Sequence, residues 1–221
     1  MSLTPDLLER PTLALEVKEI AAFLAEEGKA REAFRDKIQP HEKGEFINGE
    51  TVMHSPARDA YNTTVALIQQ SIRVAIQAGK IGGHVVFEKA LCAFTRNDYE
   101  PDVAWFSPEK AKLIRPDTTI YPVPDFIAEI LSPATRKRDR GVKFDDYAAH
   151  GVAEYWIVDA DERTVEQYVI GPDGVYQLAE KRAHGDMRPQ SFPGLNVPLA
   201  ALFDSAANFA FLKTPSLTAA P

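Results

Sequence analysis

The segment 125-DFIAEILSPATRKRDRGVKFDDYAAHGVAEYWIVD-159 decides the fold. From Phe126 to Leu131 every residue but Glu129 is apolar, as expected of a central strand covered on both faces. A helix over roughly Asp139 to His150 follows, with Gly151 as its stop, and EYWIVD returns as a second strand. Strand, helix and strand in that order are the unit of an α/β domain.

Working outward, the stretch upstream supplies more strands. HVVFEKALCAF reads as one strand, turned back at Asn97-Asp98 into DVAWF, and a proline-rich loop (Pro108, Pro116, Pro122, Pro124) leads to the central strand. Before these, Tyr61, Val65, Ile68, Ile72 and Ile76 recur at helical spacing, and Gly79 and Gly82-Gly83 end that helix. EFINGETVM is a hairpin about Asn48-Gly49, two residues that tolerate positive φ. Downstream, TVEQYVI and VYQLAEK form a hairpin around GPDG, and FPGLNVPLAALF closes the domain. At the N-terminus Leu13, Val17, Ile20 and Leu24 mark one helix face, a charged helical segment (EGKAREAFRDKI) follows, and Pro40 ends the region. The expectation is an α/β fold with a mixed central sheet flanked by helices. Its division is an N-terminal helical extension over residues 1–40, a main domain over 41–212 and a flexible tail over 213–221.

Composition narrows the function classes. A chain of 221 residues with 45% apolar content builds one core with extensions. A single cysteine, Cys92, excludes an internal disulfide framework and a cysteine-based zinc cluster. Neither a secretory signal nor a run long enough to span a bilayer is evident, so a cytoplasmic protein is expected. The net charge of -7 argues against a protein whose main work is coating nucleic acid, although local potential matters more than the total. Arg136, Lys137, Arg138 and Arg140 break the acidic trend.

Three residues stand out chemically. Glu129 is a carboxylate in an otherwise apolar strand, and an unpaired buried charge costs several kcal/mol, so a metal, a basic partner or exposure at the strand end must compensate it. Asp102 opens the strand VAWF, where a carboxylate can face a neighbouring strand's end; a turn aspartate is the plainer alternative. Lys143 stands four residues after Asp139 and three before Asp146, which a surface ion pair would explain equally well. Together they make a set. Phosphodiester hydrolysis needs a hard cation, such cations favour oxygen ligands, and a nearby lysine can orient water and stabilise developing charge. Asp139 reads as a helix cap, and the five histidines show no metal-ligand spacing.

The stretch from Pro124 to Asp159, with YEPDVAWF and GEFINGE upstream, closely resembles a widespread bacterial family of restriction endonucleases within the PD-(D/E)XK nuclease superfamily, over about residues 42 to 203. The resemblance implies a restriction-endonuclease-like core in which Asp102 and Glu129 bind the metal, with help from the backbone carbonyl of Ile130. Leu131 stands where the motif lysine usually falls, and Lys143 on the following helix matches the relocated lysine. Glu45 matches a family glutamate that completes the site. Family members carry a histidine near the start of the helix that here holds Asp59, Ala60 and Tyr61, and His54 lies too early to match it. The N-terminal helical region also exceeds the usual short leader.

The resulting expectation is a Mg²⁺- or Mn²⁺-dependent endonuclease acting on DNA. Asp102, Glu129, Lys143 and Glu45 form its site, and Arg136, Lys137, Arg138 and Arg140 grip the backbone. DNA is the expected partner, a second copy of the chain is a further candidate, and a membrane is not expected. The rival is an inert module that keeps the fold for nucleic-acid or protein contact.

Overall fold

A computed structural model describes residues 4–213. The chain opens with a short helix α1 (Pro5–Leu8) and a long helix α2 (Leu13–Lys37), then the hairpin β1 (Gly44–Ile47) and β2 (Glu50–Met53). Asn48 and Gly49 both take positive φ, 50° and 87°, as the two-residue turn requires. Helix α3 (Asp59–Gln77) follows, and then β3 (His84–Phe87), β4 (Leu91–Ala93), β5 (Asp98–Tyr99) and β6 (Val103–Phe106). A short helix α4 (Pro108–Ala111) and β7 (Ile120–Tyr121) precede the central strand β8 (Phe126–Ile130). Next come α5 (Arg136–Asp139), α6 (Val142–Ala149), β9 (Glu154–Asp159), β10 (Thr164–Ile170) and β11 (Tyr176–Arg182). The chain continues through β12 (Asp186–Met187), β13 (Val197–Pro198), a 3₁₀ turn at Leu199–Leu202 and α7 (Ser205–Lys213).

The central sheet has six strands in the order β11-β10-β9-β8-β6-β3, all antiparallel except the β8–β9 pair, which α5 and α6 connect. A second sheet, β2-β1-β5-β4-β7, covers the same face as α6. Alternation along β8 sorts its side chains. Phe126, Ala128 and Ile130 enter the core under α3 and α7, while Ile127 and Leu131 enter the core with Tyr147 of α6. Glu129 therefore points into the second layer, between the two sheets. The mixed sheet flanked by helices is the architecture expected from the sequence.

Several boundaries differ from expectation, each for a local reason. The N-terminal region is one continuous helix, α2, from Leu13 to Lys37, instead of two segments. HVVFEKALCAF divides into β3 and β4, which join different sheets, because Glu88 takes φ 60° and turns the chain between them. The helix expected over Asp139 to His150 begins only at Val142, as α6, and Gly141, at φ −126° and ψ −106°, separates it from the additional turn α5. Lys213 closes α7 and is not part of a tail, while residues 214–221 of the expected tail lie outside the described residues.

Helix α2 docks only through its second half. Phe34 packs on Phe46 and Leu91, and Arg31 and Arg35 both bond the buried Asp98 carboxylate of β5. That clamp fixes the layer that carries β1. No helix among the described residues is long and apolar enough to cross a membrane.

Candidate active site

Strand register brings the two expected acids together. Val103 pairs with Ala128 in the antiparallel β6–β8 ladder, so Asp102, just before β6, lies across from Glu129. Both are buried, at 4% and 2% exposure. The Asp102 Oδ2 accepts a 2.8 Å hydrogen bond from the Ile130 N–H. Its Oδ1 accepts from the Lys43 ammonium at 2.6 Å and from the Tyr61 hydroxyl. Lys43 also pairs with Glu88 at 2.8 Å. Burial opposes the charge on Lys43, but Asp102 and Glu88 outweigh that cost and hold its pKa above the ordinary lysine value.

Lys143 is the hub of the other half. It stands near the start of α6, pointing back at β8, and is 1% exposed. Its ammonium lies 2.9 Å from Glu45 Oε1, 3.0 Å from Glu129 Oε1 and 3.5 Å from Asp139 Oδ1. A surface ion pair is thereby ruled out as its main role. One turn further along α6, the Tyr147 hydroxyl donates to Glu129 Oε1 at 2.7 Å. Glu45 Oε1 also accepts from the Glu100 N–H, and His54 Nε2 stands 3.1 Å from Glu45 Oε2.

Charge balance governs these groups. Burial, reinforced by Asp102, Asp139 and Glu45, pushes the Glu129 carboxyl well above the usual range, and Lys143 only partly opposes this. Burial likewise raises Asp139. Glu45 goes the other way: burial raises it, but Lys143 and His54 overcome that and draw it down to about 2. Lys143 itself is penalised by burial and more than restored by Glu129, Glu45 and Asp139, so it stays charged.

Glu45, Asp102, Glu129 and Lys143 thus share one buried cluster. The sequence missed Lys43, Tyr61, His54 and Tyr147. Signals for two of them were present: Lys43 precedes Glu45 by two residues and shares its face of the chain, and Tyr147 follows Lys143 by one helical turn. Asp139 is not a helix cap, because α6 has no side-chain cap and the Asp139 carboxylate is buried, with neither oxygen accepting a hydrogen bond.

The basic cluster lies to one side. Arg136 pairs with Asp159 at 2.9 Å and Arg140 with Glu166 at 2.7 Å. Both line a cleft of about 260 Å³ beyond the carboxyl ends of β8 and β9, together with Leu131, Glu166 and Lys181; neither Asp102 nor Glu129 lines it. Lys137 is exposed and forms no ion pair among the described residues, and the buried Arg138 Nε lacks a hydrogen-bond partner.

The donor set suits a hard divalent cation. Four buried carboxyl groups (Glu45, Asp102, Glu129, Asp139) face two ammonium groups (Lys43, Lys143), so acids outnumber bases in the cluster. Asp139 keeps both oxygens without a hydrogen bond, and Glu45 keeps one. The lysines hold the acids apart, so among the described residues no three metal-ligating side chains converge. A cation at Asp102 would take the place of the Lys43 ammonium.

Known proteins match this chain in two ways. The Uma2 family, described as "Putative restriction endonuclease", matches residues 31–200. Among solved structures, a "putative nuclease belonging to DUF820" from Anabaena variabilis superposes with a TM-score of 0.61 at 21% identity, covering 75% of this chain and 90% of that one. At that identity the likeness is one of fold. No curated protein matches the chain.

Proposed function

The chain belongs to the Uma2 family of restriction-endonuclease-like nucleases, and on that premise we propose that it is a Mg²⁺- or Mn²⁺-dependent endonuclease that hydrolyses phosphodiester bonds in DNA. The observation that carries the reading is the registration of Asp102 opposite Glu129 with the Lys143 ammonium held at 3.0 Å from the latter. Asp102, Glu129 and the Ile130 carbonyl would hold the ion, which when bound neutralises charge on the phosphate and acidifies water. Lys143, kept charged by three carboxylates, positions the attacking water and stabilises charge that develops on the phosphate oxygens. Glu45 fixes Lys143 in that place.

Access sets the route of entry. Glu45, Asp102, Glu129 and Lys143 are all at most 4% exposed, whereas the Lys43 and Glu88 side chains are 13% and 27% exposed. Substrate and cation enter from the side of Lys43, Glu88 and Tyr61, with Lys137 and its neighbours holding the backbone nearby. The only cysteine, Cys92, is buried and free, and burial pushes its thiol up, which suits a cytoplasmic setting.

The test is plasmid nicking by purified protein with added Mg²⁺ or Mn²⁺, compared with Asp102→Ala. We expect nicking by the wild type and its loss in a variant that still folds. Persistent nicking by Asp102→Ala would defeat the proposal. The rival, an inert nuclease-fold module, draws support from the two lysines that already satisfy the acids. Calorimetric titration with Mn²⁺ separates the two, since only the enzyme shows binding that Glu129→Ala removes.

A further inference from the structure

Helix α2 overhangs the domain. Its seam of side chains at alternating four- and three-residue steps is Leu13, Val17, Ile20, Leu24, Glu27, Arg31 and Phe34. From Glu27 onward that seam meets the chain's own core: Glu27 bonds Arg96, Arg31 bonds Asp98, and Phe34 is buried. From Leu13 to Leu24 the same seam runs past the edge of the domain. Val17, Ile20, Phe23 and Leu24 are 44–60% exposed there. A half-helix of about fourteen residues whose tertiary contact is limited to Arg96 over the Phe23 ring is marginal in water, so this apolar seam calls for a partner. The overhang also lies wholly outside residues 31–200, which match the family, so it is an addition to the catalytic domain.

We propose that the overhang is a dimer interface, and that its occupant is the same overhang of a second copy of this chain, antiparallel about a two-fold axis. An axis between Lys18 and Glu19 sets Leu13 against the partner's Leu24 and Val17 against the partner's Ile20, closing the seam on itself. Along one flank, Ala14 meets the partner's Ala21, small side chains that let the helices approach. Along the other, Glu16 meets the partner's Phe23, whose ring carries the Arg96 guanidinium 5.8 Å from its centroid. No like charges face each other along either flank. At roughly 100 Å² for each exposed apolar side chain, the pair buries on the order of 1,000 Å² in total, the lower limit for a specific interface. The result is a reversible dimer with one nuclease domain at each end.

Sedimentation velocity of the full chain over a micromolar concentration series tests this. The wild type should rise from 24.5 kDa towards twice that mass. Ile20→Asp, at the centre of the seam, should hold it at the monomer mass with the circular dichroism of the domain retained. Leu15→Asp removes an even more exposed leucine from the outer side of the helix and should leave the association unchanged. A wild type that stays monomeric throughout, as it would if a different protein or nothing covered the seam, overturns the proposal. So does a dimer that survives Ile20→Asp, or a Leu15→Asp variant that dissociates as fully as Ile20→Asp.

Discussion

At the scale of single residues, the proposed cation would have to compete with lysines for the same acids. Lys43 bonds Asp102 at 2.6 Å, so an ion bound as proposed would have to displace its ammonium. Lys43→Met should therefore lower the melting temperature of the metal-free protein, because a buried carboxylate loses its counter-charge. It should also enlarge the rise in melting temperature that Mn²⁺ produces, since binding to the native state alone is stabilising. Thermal melts with and without Mn²⁺ check this, and an equal rise in both proteins would refute it. Glu129 gives the pH counterpart. Its folded-state pKa is raised, first by burial, so the native protein holds protons that the unfolded chain has released. Stability is then greatest below the unfolded value of about 4.3 and falls as pH rises through the raised one. Glu129→Gln should flatten that fall and make the metal-free protein at least as stable as the wild type at alkaline pH, while abolishing Mn²⁺ binding. Melting temperatures across a pH series decide it: a variant that still loses stability as steeply as the wild type would show that Glu129 is not the source.

At the scale of elements, the site depends on how β8 hands over to α6. Glu129 was legible because a charged residue interrupts an apolar strand, and Asp102 because it opens the next one. Lys143 was legible only by resemblance, since its neighbours Asp139 and Asp146 offered a surface pairing, and burial is a property of packing. Tyr61 and His54 were illegible because they reach the site from α3 and from just past the end of β2 through long-range contacts that no local period encodes. The break at Gly141 was missed for a similar reason: the helical pattern runs through it, and its backbone conformation, φ −126° and ψ −106°, is set by packing that no local period encodes. A Cβ on Gly141 would stand 2.9 Å from the Lys137 carbonyl oxygen. Gly141→Ala should push the start of α6 away from α5, carrying Lys143 with it. We expect a stability loss of about 1–3 kcal/mol and a nicking rate lowered by roughly 10- to 100-fold, because small misplacements of catalytic groups are costly. A denaturant midpoint and a single-turnover rate measure both. An unchanged rate with reduced stability would show that Lys143 does not need the break.

At the scale of the whole molecule, a chain of net charge -7 must bind a polyanion through a small patch. The basic cluster after β8 is weaker than its count suggests. Arg136 and Arg140 are already paired with Asp159 and Glu166, so contact with phosphate must break an ion pair before it gains one. Lys137 is exposed, with no ion pair among the described residues, and can meet a phosphate without that cost. The two should therefore differ in a duplex-binding titration read by fluorescence anisotropy over a salt series. Each phosphate contact contributes roughly one unit to the slope of log K against log salt. Lys137→Ala should reduce that slope by about one unit, whereas Arg136→Ala should change it by much less, since Asp159 already neutralises the Arg136 charge. A dimer joined through α2 would double the wild-type slope only for duplexes long enough to reach both domains, so shortening the duplex should halve it. If Lys137→Ala left the slope untouched on every duplex, the phosphate grip would lie elsewhere, and the cluster would serve only to anchor α5 against β9 and β10.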